Sequence, residues 1–258
     1  MKYTILGLLV FSLFGNGVSS VKPSTPQEEE ITIAAASDLR FAMDSLVTVF
    51  KKTYPSYKVT VIYGSSGKFF HQISNGAPFD IFFSADKEYP LQLQEKKLTA
   101  SSVNLYAIGK LVLWSKKLNP VTKGMNTVLD PSINKIAIAN PEHAPYGKKA
   151  KESLIHYKLY DKIKSKLVLG ENISQTAQYI SVGAADIGIV ALSLVMSPEL
   201  QNQGKYYVIP DTTHTPLEQA YVILKRGKKK KGTQLFSTFI SSPSAKSLLQ
   251  KFGFSLPK

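Results

Sequence analysis

Four places in this 258-residue chain set small or hydroxyl residues between a short apolar run and a helix-forming stretch. They are AAASD (34–38), GSSG (64–67), PEHAPYG (141–147) and ENISQTA (171–177). A helix start carries backbone N–H groups with no intrahelical acceptor and the positive end of the dipole, so it attracts anions. Serine hydroxyls add donors, and the glycines let backbone approach a ligand closely. In an open α/β sheet these junctions lie at the carboxyl ends of the strands, where ligands bind. Capping and turn preferences explain any one of them. Four together, with no catalytic group beside them, point to a site for an oxyanion.

Other chemistry is poorly served. The chain has no cysteine, which excludes disulfides, thiolate metal sites, iron–sulfur clusters and cysteine nucleophiles. His71, His143, His156 and His214 lack the short spacings of metal ligands, and His143 within PEHAP reads as a residue that fixes a turn. GSSG is not the G-x-S-x-G nucleophile elbow. A secreted hydrolase using Ser66 would need a histidine and an acid within hydrogen-bond reach of that hydroxyl. The sequon Asn172-Ile173-Ser174 is too common by chance to carry weight.

The elements that must position these junctions alternate. ITIAAA (31–36) reads as a buried strand that meets Ser37, a good N-cap. Leu39, Ala42, Met43, Leu46, Val49 and Phe50 then recur at helical spacing. YKVTVIY (57–63), DIFFSAD (80–86) and SVNLYAIGKLVLWS (102–115) read as strands, each of the first two followed by a helix. The rhythm restarts with strands at 135–140, 166–170 and 186–191, separated by helices at 147–159 and 174–182. Strands 205–210 and 219–224 and two C-terminal helices over 232–252 complete the pattern. Such alternation implies an α/β fold with mainly parallel sheets flanked by helices. Two rounds joined by two crossings predict two lobes about a hinge: residues 31–110 and 219–258 in one, 111–218 in the other.

Composition agrees with a globular protein: 43 % apolar and 19 % charged residues, with mean hydropathy −0.06. Lys2, the apolar run Ile5–Phe14 and the small residues up to Ser20 form a signal-peptide pattern over 1–20. Residues 21–30 read as a flexible leader, and the protein is expected to be exported, soluble and periplasmic. With 32 Lys+Arg against 18 Asp+Glu, the net charge is +14, which favours anionic partners. The densest run, KRGKKKKG (225–232), reads as a solvated loop. A surface-interaction role for it remains an alternative, and no nucleic-acid motif accompanies it.

The blocks ITIAAASDLRFAM, GSSGKFFHQISNGAPFDIFFSAD, NPEHAPYGKKAKESL, AADIGIVALS and KFGF make the chain, from residue 31 to its end, resemble the periplasmic molybdate-binding proteins of ABC-type importers. The resemblance implies a class II periplasmic-binding-protein fold with the ligand in the interlobe cleft. It implies capture of molybdate or tungstate, delivery to a membrane permease, a monomer, no cofactor and no enzymatic activity. It also implies a ligand set. Ser37 and Ser66 would each offer a hydroxyl and an N–H, and Tyr146 and Ile173 would offer backbone N–H groups. Many members place a tyrosine after the G-I-V strand. Here Ala191 stands in its place, so a backbone group, Ser193 or a water would substitute.

The chemistry suits that set. Molybdate and tungstate are dianions at neutral pH, so a site should present donors and no acceptor. An inward carboxylate would select a protonated oxyanion instead, and Asp38 is therefore expected to turn away and give at most its N–H. Converging helix N-termini supply positive potential without a buried cation. The same fold serving sulfate or phosphate is the nearest alternative.

Overall fold

The computed structural model describes residues 29–257. The expected signal peptide lies outside the described residues, as does the leader except for Glu29 and Glu30. Those two open the first strand instead.

The first sheet is built from β1 (Glu29–Ala36), β2 (Tyr57–Gly64), β3 (Ile81–Ser84) and β4 (Asn104–Gly109). Between them run α1 (Arg40–Thr53), α2 (Ser66–Ser74) and α3 (Glu88–Glu95). The second sheet takes β5 (Leu111–Ser115), β6 (Ile136–Ala139), β7 (Leu167–Gly170), β8 (Ile187–Ala191) and β9 (Lys205–Val208). Its helices are α4 (Pro145–His156), α5 (Tyr160–Ile163), α6 (Ile173–Ser181) and α7 (Leu192–Val195). The chain then returns to the first sheet as β10 (Leu217–Ile223) and ends in α8 (Lys231–Ile240) and α9 (Pro243–Lys251).

Strand order is β2-β1-β3-β10-β4 in the first sheet and β7-β6-β8-β5-β9 in the second. In each, one strand runs against the other four: β10 is antiparallel to β3 and β4, and β5 to β8 and β9. The sheets are mainly parallel, as the alternating pattern implied. The run 102–115, read above as one strand, is two. β4 pairs with β10 and β5 with β8 and β9, so the chain breaks at Lys110 where it passes between sheets.

Burial explains why these segments take these forms. β1 and β8 are short apolar runs buried on both faces, as expected for central strands covered by helices. α1 buries Ala42, Met43, Leu46 and Phe50, one stripe at three- and four-residue spacing. Phe50 meets Phe236 of α8 edge-on at 5.0 Å. The other face of the first sheet is covered by Phe69, Phe70 and Leu93 from α2 and α3. Around the second sheet a larger core gathers Trp114, Ile136, Ile138 and Ile189, and it also takes in Ala36 and Ala85 from the strand ends of the first.

The basic run splits into two uses. Arg226 and Lys230 both pair with the fully buried Asp80, at 3.0 and 2.7 Å, while Lys225, Lys228, Lys229 and Lys231 are exposed.

Candidate oxyanion-binding site

The carboxyl ends of β1, β2 and β3 face the helix starts that follow β6 and β7. Eleven residues from these junctions line one small cavity: Ala36, Ser37 and Asp38; Gly64, Ser65 and Ser66; Ala85; Ala144, Pro145 and Tyr146; and Ile173. Ser37, Ser66, Tyr146 and Ile173 thus share one cavity, although up to 136 residues separate them in the chain. All four are buried. No lysine or arginine lines the cavity, and its one charged residue is Asp38.

Each donor is held by its element. Ser66 opens α2 after Ser65, which accepts from the Lys68 N–H as the N-cap. The Ser66 hydroxyl accepts from the Ala85 N–H at 3.0 Å, which leaves its own proton free to donate. Tyr146 and Ile173 lie in the first turns of α4 and α6, where N–H groups lack intrahelical acceptors. Pro145 at the first position of α4 presets the helical φ.

Ser37 departs from its expected role as a cap. The residue before the first turn is Ala36, and no side chain caps it. The Ser37 hydroxyl reaches across to the second sheet and donates to Asn172 Oδ1 at 3.1 Å. In return Ser174 donates its hydroxyl to the Ser37 carbonyl at 2.8 Å. Asn172 also caps α6 by accepting from the Gln175 N–H, so one side chain fixes a helix start and a contact between the two halves. Its cap-type position before an apolar helix was the sequence signal for it.

At the position of the missing tyrosine, Ala191 is fully buried and ends β8. Ser193 does not line the cavity; its hydroxyl donates to the Asp38 carbonyl at 2.8 Å.

Asp38 is 1 % exposed. Its Oδ2 accepts from the Tyr146 hydroxyl at 3.0 Å and from Gln219 Nε2 at 2.6 Å. Tyr106 donates to Gln219 Oε1 at 2.6 Å. The carboxylate is thus drawn into a buried network through Oδ2, while Oδ1 is buried with no hydrogen-bond partner, and Asp38 borders the cavity rather than standing clear of it. Burial raises the Asp38 carboxyl to about 6, against the lowering effect of its hydrogen bonds to Gln219 and Tyr146. The Tyr146 and Tyr106 phenols are raised well above their ordinary value, mainly by burial. Gln219 sits in β10 with no local sequence cue, and its part in the network follows only from sheet order.

A further set of contacts joins the halves at the rim. The Gly67 N–H donates to the His143 carbonyl at 2.9 Å, and Ser65 Oγ meets His143 Nδ1 at 3.0 Å. Lys68 pairs with Glu171, and Lys148 donates to the Tyr89 hydroxyl at 3.3 Å. Burial holds the His143 imidazole below its usual value. Among the described residues, the Ser66 hydroxyl has no histidine partner. His143 reaches Ser65 rather than Ser66, and its Nε2 lies 3.9 Å from a Glu171 carboxylate already paired with Lys68, too far for the hydrogen bond that orients a catalytic base.

Residues 31–255 match the family model for bacterial extracellular solute-binding proteins. The chain is 35 % identical over 231 residues to the molybdate-binding protein ModA of Azotobacter vinelandii, covering 89 % of this chain and 91 % of that one. It is 34 % identical over 228 residues to the ModA of Rhodobacter capsulatus, covering 87 % and 88 %. The solved structure of the Azotobacter vinelandii periplasmic molybdate-binding protein superposes with a TM-score of 0.83 at 32 % identity, over 88 % of this chain and all of that one.

Proposed function

This chain belongs to the bacterial extracellular solute-binding proteins, and on that footing we propose that it captures molybdate, and with it tungstate, for delivery to an ABC permease. One observation carries the reading: residues from five strand ends in two sheets, four of them bearing the expected donors, line a single small cavity with no lysine or arginine. Its free volume of about 10 Å³ is far below the roughly 300–1,000 Å³ of pockets for drug-sized molecules, so the site is built for something small. The names of its relatives support molybdate as that ion.

In this reading Ser66 and Ser37 donate hydroxyls from the first sheet, and the first-turn N–H groups of Tyr146 and Ile173 donate from the second. Helix N-termini oppose the dianion's charge, and hydrogen bonds to charged acceptors are the stronger kind. For Ser37 to reach the ion, its proton turns from Asn172 to the ligand. Donors from both halves meet one ion only when the halves are together, so ligand binding favours the closed form by its differential affinity. The protein acts as an exported monomer and transforms nothing.

Calorimetric titration of the purified protein with molybdate, tungstate, sulfate and phosphate tests this. One-to-one binding of the first two, with weak response to the others, is expected. Preference for sulfate or phosphate would keep the fold and overturn the ligand. Silence from all four would overturn the function.

A further inference from the structure

Asp38 sets an electrostatic conflict at the centre of the site. It lines the cavity proposed to hold a dianion, it is buried, and no cation lies within 4 Å of its carboxylate among the described residues. An ionised carboxylate beside a buried dianion is repelled by it with little solvent to screen the charges.

The hydrogen bonds show how the conflict resolves. Both side-chain donors that reach the carboxyl group, from Tyr146 and Gln219, converge on Oδ2, and the backbone N–H groups of Asp38 and Leu39 also act on the group. Oδ1 is buried with no protein partner, although Asp38 borders the cavity. A buried polar atom without a partner is costly unless a ligand completes it. An ionised Oδ1 offers only an acceptor, which a fully deprotonated oxyanion cannot use. A protonated Oδ1 offers a donor.

We propose that Asp38 binds the oxyanion in its protonated form, donating from Oδ1, so that each dianion enters the site together with one proton from solvent. This rests on the function proposed above and makes Asp38 a ligand-contacting residue of that site. No covalent bond changes: a solvent proton adds to the carboxylate, and the resulting hydroxyl donates to an oxygen of the ion.

The groups facing Asp38 leave the proton to it. From α4, Tyr146 contributes a phenol, and from β4, Tyr106 contributes another through Gln219 of β10. Both phenols are held neutral by burial. From α7, Ser193 engages only the Asp38 carbonyl. Arg40, two residues along, lies over the Tyr63 ring at 5.4 Å. Burial, partly offset by hydrogen bonds, brings the free carboxyl to about 6, and an adjacent dianion raises it further.

The test is calorimetry of molybdate binding between pH 6.5 and 8.5, in buffers of different ionisation enthalpy, on the wild type and on Asp38→Asn. The asparagine amide keeps the shape and offers a permanent donor in place of the protonated oxygen. Above the pKa of the free group, wild-type affinity is expected to fall about tenfold per pH unit, with uptake of about one proton per ion. Asp38→Asn is expected to bind with little pH dependence and no proton uptake. A pH-independent wild-type affinity would overturn the proposal, and so would equal proton uptake in both proteins. The wild-type measurement decides the matter even if the variant fails to fold. If the wild type binds neither molybdate nor tungstate at any pH, the function itself fails. If it binds them without a proton, only the role of Asp38 fails.

Discussion

The backbone N–H of Gly67 donates to the carbonyl of His143 at 2.9 Å, joining the first turn of α2 to the loop that leads into α4. Only glycine allows this approach. A Cβ at position 67 would lie 2.5 Å from the His143 oxygen and 2.9 Å from the Tyr89 hydroxyl. Gly67→Ala should therefore hold the two halves apart. Overpacking of this kind costs about 1–3 kcal/mol, so molybdate affinity should fall about 5- to 150-fold. Unchanged affinity by calorimetry would show that closure tolerates the methyl group.

The neighbouring ion pair should matter far less. Lys68 and Glu171 are each nearly half exposed, at 48 % and 44 %, and exposed pairs contribute about 0–1 kcal/mol. Glu171→Gln should change affinity by less than about fivefold. A larger loss at moderate salt would mean that the pair, with His143 beside it, governs closure.

Hydroxyl donors to a charged acceptor are worth about 1.5–3 kcal/mol, and Ser66→Ala should weaken oxyanion binding by that amount. It also removes the acceptor of the Ala85 N–H, so a thermal melt of the unliganded protein should accompany the titration. Ser37→Asp should nearly abolish binding by setting a carboxylate against the ion. Retained binding in that variant would move the site elsewhere.

Asp38 also has a signature in stability without ligand. Its folded pKa of about 6 exceeds the unfolded value of 3.8, so over that interval the folded protein binds more protons than the unfolded chain. Stability is therefore greatest below about pH 4 as far as this group is concerned, and it declines as pH rises through 6. Asp38→Asn should remove the decline and be more stable at pH 7, by up to about 3 kcal/mol. Urea titrations of both proteins at pH 5 and pH 7 would show the difference, and a parallel response would refute it.

At the far end of the first sheet, Asp80 accepts from the Thr32 N–H at 2.8 Å as well as pairing with Arg226 and Lys230. Asp80→Ala should cost about 1–3 kcal/mol through the unsatisfied Thr32 N–H. The two cations are partly exposed and can turn to water. Charge reversal at Lys225, Lys228 and Lys229, which carry no such contact, should leave stability and oxyanion affinity unchanged. A drop in molybdate affinity would tie that run to the site.

The sequence by itself determined the elements and the type of chemistry. Period-two and period-3.6 patterning, with Gly, Pro and hydroxyl residues at the junctions, is local information. It predicted mainly parallel sheets and the helix starts, while the choice of Ser37, Ser66, Tyr146 and Ile173 as ligand donors came from the family resemblance. What only the tertiary structure decided depends on which strands become neighbours. The break at Lys110 arises because β4 and β5 pair in different sheets. Ser37 leaves its capping role because Asn172, 135 residues away, comes within 3.1 Å. Gln219 meets Asp38 because β10 inserts between β3 and β4. Sequence patterning reports each residue's preference for burial and backbone conformation. It carries no record of a polar partner supplied by a distant strand, and the protonation of a buried carboxyl depends on that partner.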